Sequence, residues 1–498
     1  MSDIRRFIHQ EQDAVILSGL QQFSELPSWL ASAKDHDRTY KILSKDIPEI
    51  ANGSVILKKC KIGHMLLKDG VWKNRCILKV GVPDELGERP IEFNGTLFPL
   101  GFLSMGHSIV EGVFGAEGWH AIFPELNLEL RAREPETELQ SVGLLTDPEK
   151  SREFLERSLR AASPAYRNVH IQSCKPEIIR YKPGNRCTIL YQLEYALDIP
   201  VESYRPAIMV AKIDHQEKGR NAYESMKALW DTSFGSSNSV RIAEPLVYDP
   251  DLRVFVQGPV WEEQTLADLF LSALDAGTPE AIGALNETMQ KTAKGLAELH
   301  RSGVKIGQVE TWEDEMAEVE AKVMQLSTIF TNLSSSAAPF LERISRLEAA
   351  ALRDHLVPSH GTFRPVQVLL NKGEVSFIDF DSFCQSEPAR DLSMFLSSIM
   401  TLGLTLSSFD EGKSSDQTIA NPAKWEARFE QVSSICEQFL DMYQQFQPVS
   451  RQRVALWQAL DLFHYALSGW MKVKVGEIGF LVKLLDRFLI ESNLINAK

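Results

Sequence analysis

Ser359-His360-Gly361-Thr362-Phe363-Arg364-Pro365-Val366-Gln367-Val368-Leu369-Leu370, followed by Val375-Ser376-Phe377-Ile378-Asp379-Phe380-Asp381, is the stretch from which this chain is best read. It predicts a polar turn, a short apolar strand, a glycine-bearing hairpin and a second strand that runs out into carboxylates. If that second strand persists, Asp379 and Asp381 share one face, because side chains two apart on a strand point the same way.

Upstream of this segment the pattern is that of an antiparallel sheet with one helix. Ile178 to Tyr181 is a strand, Lys182-Pro183-Gly184-Asn185-Arg186 a turn, and Thr188 to Tyr195 alternates as a half-buried strand does. Ala207 to Ile213 is a third strand, with Lys212 near its end. Asn221 to Trp230 is a helix carrying Glu224, and the strands 245–248 and 254–256 lead into Gln257-Gly258. Beyond 258 the chain is mostly helical: Ile282, Leu285, Met289, Ala293, Leu296 and Leu299 recur at helical spacing, as do Trp425, Phe429, Val432, Cys436, Phe439 and Tyr443. Ser407 to Ser415 reads as a loop.

Residues 1 to about 165 are different again. Short strands are expected at 55–57, 76–80 and 91–93, and Asp147-Pro148-Glu149 opens an amphipathic helix through Phe154, Leu155 and Leu159. Trp72, Trp119 and Phe123 are too apolar to stay solvated, so this region is expected to fold as a unit, packed against the sheet that follows it. Asn74-Arg75-Cys76 recurs as Asn185-Arg186-Cys187, a match better explained by chance than by duplication.

The bulk numbers bound these readings. A chain of 498 residues exceeds one hydrophobic core, so about two or three domains are expected. A formal charge of −14 argues against a nucleic-acid partner, which selects for basic faces. The six cysteines form no C-x-x-C pair, which points to free thiols in a reducing compartment. The charged N-terminus predicts no leader, and the apolar run 392–406 is too short and too serine-interrupted for a bilayer. A cytoplasmic protein without a membrane partner is expected.

The 359–381 segment resembles the aminoglycoside phosphotransferase and choline kinase branch of the protein-kinase-like fold, where the pattern is His-Gly-Asp, four residues, Asn, then Ile-Asp-Phe. The resemblance covers roughly residues 166–498 and implies a two-lobed fold there, so the whole chain is expected to be α+β. An N-terminal α+β domain (1–165) would precede a small antiparallel-sheet lobe (166–257) and a large helical lobe (258–498). It implies ATP and Mg²⁺ as cofactors and a small hydroxylated acceptor, such as a sugar or amino alcohol. Lys212 would reach the nucleotide phosphates, oriented by Glu224, with Glu217 a weaker candidate. Gly184 would lie in the phosphate-covering turn, and Gln257 and Gly258 in the hinge.

Asp379 would bind metal, and Asp381 would either assist or merely cap a turn. Asp391 would be structural, capping a helix that begins at Leu392, and His360 would hold the loop by hydrogen bonds. The chain departs from the pattern twice. Gln367 stands at the metal-binding Asn, where its amide oxygen still offers a ligand. Thr362 stands at the catalytic Asp, and a hydroxyl cannot serve as a carboxylate base near neutral pH. Three functions follow: a phosphotransferase with a weakened base, a pseudokinase that binds nucleotide or a protein partner, or a protein that keeps ATP chemistry but moves a different group or uses a different acceptor geometry. The acidic cluster Glu310 to Glu320 is read as a solvated helix face.

Overall fold

The computed structural model describes residues 2–81, 87–103, 106–133, 140–162, 164–182, 185–196, 206–214, 218–405 and 422–495. The sheet of the smaller lobe has five antiparallel strands in the spatial order Pro245–Asp249, Val254–Gln257, Ile208–Asp214, Arg186–Tyr195, Ile171–Lys182. In chain order this is a three-strand meander, the helix Lys218–Trp230, then a hairpin whose last strand returns beside Ile208–Asp214. Alternation buries Cys187, Ile189, Tyr191 and Leu193 on one face. With the helical body that follows Gln257, this is the two-lobed protein-kinase-like architecture, α+β in class.

The helices read from periodicity are present as Pro279–His300 and Pro422–Gln444. The first starts on a Thr278 cap with proline at its opening position, the place where a missing N–H has no consequence. The helical lobe is interrupted by the short hairpin Val368–Asn371 and Glu374–Phe377, paired Val368↔Phe377 through Asn371↔Glu374. The loop expected at 407–415 lies outside the described residues. Among the described residues no helix is long and apolar enough to cross a membrane.

The N-terminal region builds a seven-stranded sheet from Ile56–Ile62 to Leu128–Ala132, with helices Ser28–Ala31 and His36–Asp46 beside it. Asn74-Arg75-Cys76 lies inside the strand Val71–Gly81, whereas Asn185-Arg186-Cys187 turns into a strand start, so the two occurrences are not equivalent.

The expected packing partner is corrected. Trp72, Phe23 and Leu30 share one continuous core with the helical lobe. Trp72 Nε1 donates to Trp470 O at 3.4 Å and Trp470 Nε1 to Phe23 O at 2.8 Å. Phe23 meets Phe463 edge-on, with ring centroids 5.2 Å apart. The smaller sheet has its own core, and Phe154, Leu155 and Leu159 of the helix Pro148–Ala162 belong to that one. Hydrophobic periodicity says which face of an element is apolar. It does not say which of two apolar surfaces that face will meet.

Candidate active site

The strand carrying the expected metal ligand stops short of it. Glu374–Phe377 ends two residues before Asp379, which takes the left-handed conformation (φ 72°, ψ 51°), and a 3₁₀ turn follows over Phe380–Ser382. A shared strand face therefore does not bring Asp379 and Asp381 together; a strained turn does. Left-handed geometry at a residue with a Cβ is unfavourable and persists only where its surroundings impose it. Here they do. Phe380 is buried against the His360 ring, centroids 4.7 Å apart. Asn221, on the Lys218–Trp230 helix, donates from Nδ2 to Asp381 O at 2.9 Å and to Phe383 O at 3.3 Å.

Two cations face this turn. Lys212 Nζ lies 3.2 Å from Asp379 Oδ1. Arg186 Nη2 lies 3.4 Å from Asp214 Oδ2 and 3.8 Å from Asp381 Oδ2. The two carboxylates respond in opposite directions. Burial works against the charge on Asp379, yet the charge and hydrogen bond of Lys212 overcome it and hold the carboxyl below its usual range. Burial dominates at Asp381 and, with Asp379 and Asp214 nearby, keeps its carboxyl above the usual range despite Lys212 and Arg186. The turn thus carries one firmly ionised carboxylate and one that takes a proton more readily.

The Ser359–Arg364 loop is docked on the same turn. A Cβ at Gly361 (φ +83°) would come within 2.0 Å of Ser382 O, so only glycine lets the loop approach this closely. His360 Nε2 pairs with Ile378 O at 2.9 Å. Burial lowers the His360 pKa, which favours the neutral ring that donates to that carbonyl. The loop's other anchor is Asp391, which is wholly buried. Its two oxygens accept the backbone N–H groups of His360 (2.7 Å) and Gly361 (2.8 Å), and Oδ2 also contacts His300 Nε2 at 3.0 Å. Asp391 is structural, as expected, but by another route. The helix begins at Pro388, and Asp391 caps the Ser359–Arg364 loop from inside that helix's first turn.

Gln367 ends the turn Pro365–Gln367, and its backbone oxygen accepts Ile378 N–H at 3.1 Å, one residue before Asp379. Its side-chain Oε1 is buried and has no hydrogen-bond partner among the described residues. A buried amide oxygen left unpaired is unfavourable, and at this position it fits a ligand oxygen waiting for a cation. Asp379 and Gln367 together suit Mg²⁺, which takes one or two protein oxygens and fills its remaining positions with water and phosphate. No cluster of three or more His, Cys, Asp or Glu suited to a metal occurs among the described residues.

Other expected residues fare differently. Glu224 is exposed and does not reach Lys212, whose carboxylate partner is Asp379. The helix phase explains this: Ala222, Ser225, Met226 and Leu229 define the buried stripe, and Glu224 falls off it. Glu217 and Gly184 lie outside the described residues. Gln257 is buried at the end of Val254–Gln257, but the Gly258 N–H already donates to Glu244 O at 2.8 Å, so that hinge donor is taken. Thr362 is partly exposed on the loop beside the Asp379–Ser382 turn.

Sequence reading missed Arg186, Asp214 and Asn221. Asp214 could have been found, since it lies two residues beyond Lys212 on one strand and so on the same face. The acidic cluster is not simply solvated either. Glu315 is buried, with His464 Nδ1 at 2.9 Å from Oε1 and Arg390 Nη2 at 3.7 Å from Oε2.

These positions make a testable contrast. Lys212→Met should weaken Mg-ATP binding about tenfold, the scale of losing a charge-assisted contact of ~1.5–3 kcal/mol. Glu224→Ala should leave it within about twofold, as expected for an exposed side chain. Calorimetric titration of both variants checks this, and a large loss at Glu224 would contradict the geometry.

The Phosphotransferase enzyme family matches residues 258–426. No curated protein sequence matches the chain significantly. Among solved structures, a glucosamine kinase in complex with glucosamine, ADP and inorganic phosphate is similar at 14% identity and TM-score 0.43, over 90% of this chain and 96% of that one. A spectinomycin phosphotransferase in complex with ADP and spectinomycin is similar at 10% identity and TM-score 0.39, over 70% and 99%. A choline/ethanolamine kinase family protein from Mesorhizobium loti is similar at 13% identity and TM-score 0.40, over 70% and 97%. The matched residues 258–426 include the Thr362 loop and the Asp379–Asp381 turn.

Proposed function

We propose that this protein is an ATP- and Mg²⁺-dependent phosphotransferase acting on a small hydroxylated molecule, a sugar or an amino alcohol, with Thr362 in place of the usual base. The observation that carries this reading is the cleft between lobes, where Lys212 meets Asp379 and the unpaired Gln367 Oε1 lies next to the Asp379 segment. Phosphoryl transfer asks for positioning and charge more than for covalent chemistry, and these residues provide both. Asp379 and Gln367 would hold the divalent metal, which when bound offsets phosphate charge. Lys212, released from Asp379 as phosphate enters, would neutralise the nucleotide from the smaller lobe. Arg186 would hold Asp381 and Asp214 and keep their charge off the phosphates. Thr362 would hydrogen-bond the acceptor hydroxyl without removing its proton.

A second reading is supported by Thr362 and by Glu224, which leaves Lys212 without a helix carboxylate: a pseudokinase that binds nucleotide or a protein partner without transfer. The six cysteines, all free and buried, support a reducing, cytoplasmic setting. Titrating the full chain with Mg-ATP while following its melting temperature tests the shared premise. A saturable rise, lost in Asp379→Asn, is expected. No shift at millimolar Mg-ATP would remove nucleotide from both readings. A screen of sugars and amino alcohols for ADP release then separates enzyme from pseudokinase.

A further inference from the structure

The inward positions of the strand Val71–Gly81 read Trp72, Asn74, Cys76, Leu78, Val80, and all five are buried. Four are apolar or nearly so. The fifth is a carboxamide, only 9% exposed, and neither its Oδ1 nor its Nδ2 has a hydrogen-bond partner among the described residues. Burying an unpaired amide in an apolar layer is costly, and native proteins rarely leave both ends of one unsatisfied. The neighbouring strand is shaped around this side chain. Gly95 pairs directly opposite Asn74, and a Cβ there would come within 2.2 Å of Asn74 Oδ1. Glycine gives the carboxamide its room.

Asn74 lines a cavity of about 500 Å³ between this sheet and the helices Ser28–Ala31 and His36–Asp46. That volume lies in the range of roughly 300–1,000 Å³ typical of small-molecule sites. Its walls are mostly apolar, with Trp29, Met65, Leu97 and Leu128 among them, and exposed Leu100 and Arg38 form its outer edge. Ser32, Arg38, Thr39, Glu125 and Asn127 also line it, but Asn74 is the lining residue that is buried with both ends of its side-chain amide unpaired among the described residues. A carboxamide presents a donor and an acceptor side by side, and its complement is a group that presents an acceptor and a donor in the same way.

We propose that this cavity is a binding site, separate from the interlobe cleft, for a small, largely apolar molecule bearing a cis-amide edge, as a lactam or cyclic imide does. The edge pairs with Asn74 and the apolar body fills the space above Leu97 and Leu128. The site lies in the N-terminal sheet, whose core is continuous with the helical lobe through Trp72 and Trp470. Occupancy therefore adds stability to the body that also carries the Thr362 loop.

Ligand-observed NMR on the full chain with ε-caprolactam and N-methylcaprolactam tests this without any variant. The two differ chiefly in the N–H that would donate to Asn74 Oδ1. Caprolactam is expected to bind saturably, and its methylated analogue about fivefold more weakly or worse, the scale of one hydrogen bond with its partner left unpaired. Asn74→Leu should erase the difference, and because it removes an unsatisfied buried amide it should raise the melting temperature of the free protein. Equal binding of the two lactams, binding unchanged by Asn74→Leu, or no lactam binding with a melting temperature lowered by Asn74→Leu would each overturn the proposal. The last outcome would mean that the carboxamide is satisfied by ordered water only.

Discussion

Asp391→Ala is expected to destabilise the protein by about 3–5 kcal/mol, the range for removing one partner from a buried, charged hydrogen-bond network. The substitution leaves the N–H groups of His360 and Gly361, and His300 Nε2, without the carboxylate that now accepts from all of them. Each unpaired buried donor costs about 1–3 kcal/mol. The loss should appear as a lower urea midpoint. The Ser359–Arg364 loop should also loosen, seen as faster amide exchange at His360 and Gly361.

The pH dependence carries a sign. Burial opposes the Asp391 charge, but His300, His360 and the loop N–H groups win and hold the carboxyl below its usual range. A depressed folded-state pKa gives stability that is present above the unfolded value, about 3.9, and is lost as pH falls through the folded one. The gap between wild type and Asp391→Ala should therefore be full at pH 7 and shrink in strong acid. A gap that is small at pH 7, or that widens in acid, would show that the loop is held by something else.

Thr362→Asp is expected to raise turnover by about tenfold or more, provided the correct acceptor is present, because a positioned base typically contributes roughly 10²–10⁴-fold. The loop that carries residue 362 is already fixed against the Asp379–Ser382 turn by Gly361 and by the pairing of His360 with Ile378 O. The new carboxylate should thus need no remodelling to face the cleft. If the site instead belongs to a pseudokinase, a further Asp near Asp379 and Asp381 brings only repulsion. The melting temperature without metal should then fall, with no acceptor phosphorylated. Burial and Asp379 already push Asp381 upward, so the same variant should drive that carboxyl higher still. Turnover and metal-free melting temperature, measured together on this one protein, distinguish the two cases.

What was legible in the sequence was whatever depends on neighbours along the chain. The meander, the hairpin at 368–377 and the helices over 279–300 and 422–444 follow from local periodicity and turn residues, while the structural roles of His360 and Asp391 came from the family resemblance of the motif. Lys212 belongs here too, since it lies on a strand that the apolar run reveals, whereas Asp379 was singled out by motif order and lies two residues past the strand Glu374–Phe377. The phase of the Lys218–Trp230 helix is equally present in the spacing of Ala222, Met226 and Leu229, which turns Glu224 outward.

Long-range pairing was decided by the tertiary structure alone. Local pattern does not specify that Lys212 meets Asp379 across 167 positions, or that Arg186 spans Asp214 and Asp381. Nor does it show that Asp391 reaches back 31 residues to the His360 N–H instead of capping its own helix. The same holds for the N-terminal sheet, whose apolar face was evident from Trp72 but whose partner, Trp470, lies 398 residues away. Burial and charge fix what a side chain must find. Which group it finds depends on which surfaces the folded chain brings within a few ångströms, and that is a property of the whole packing.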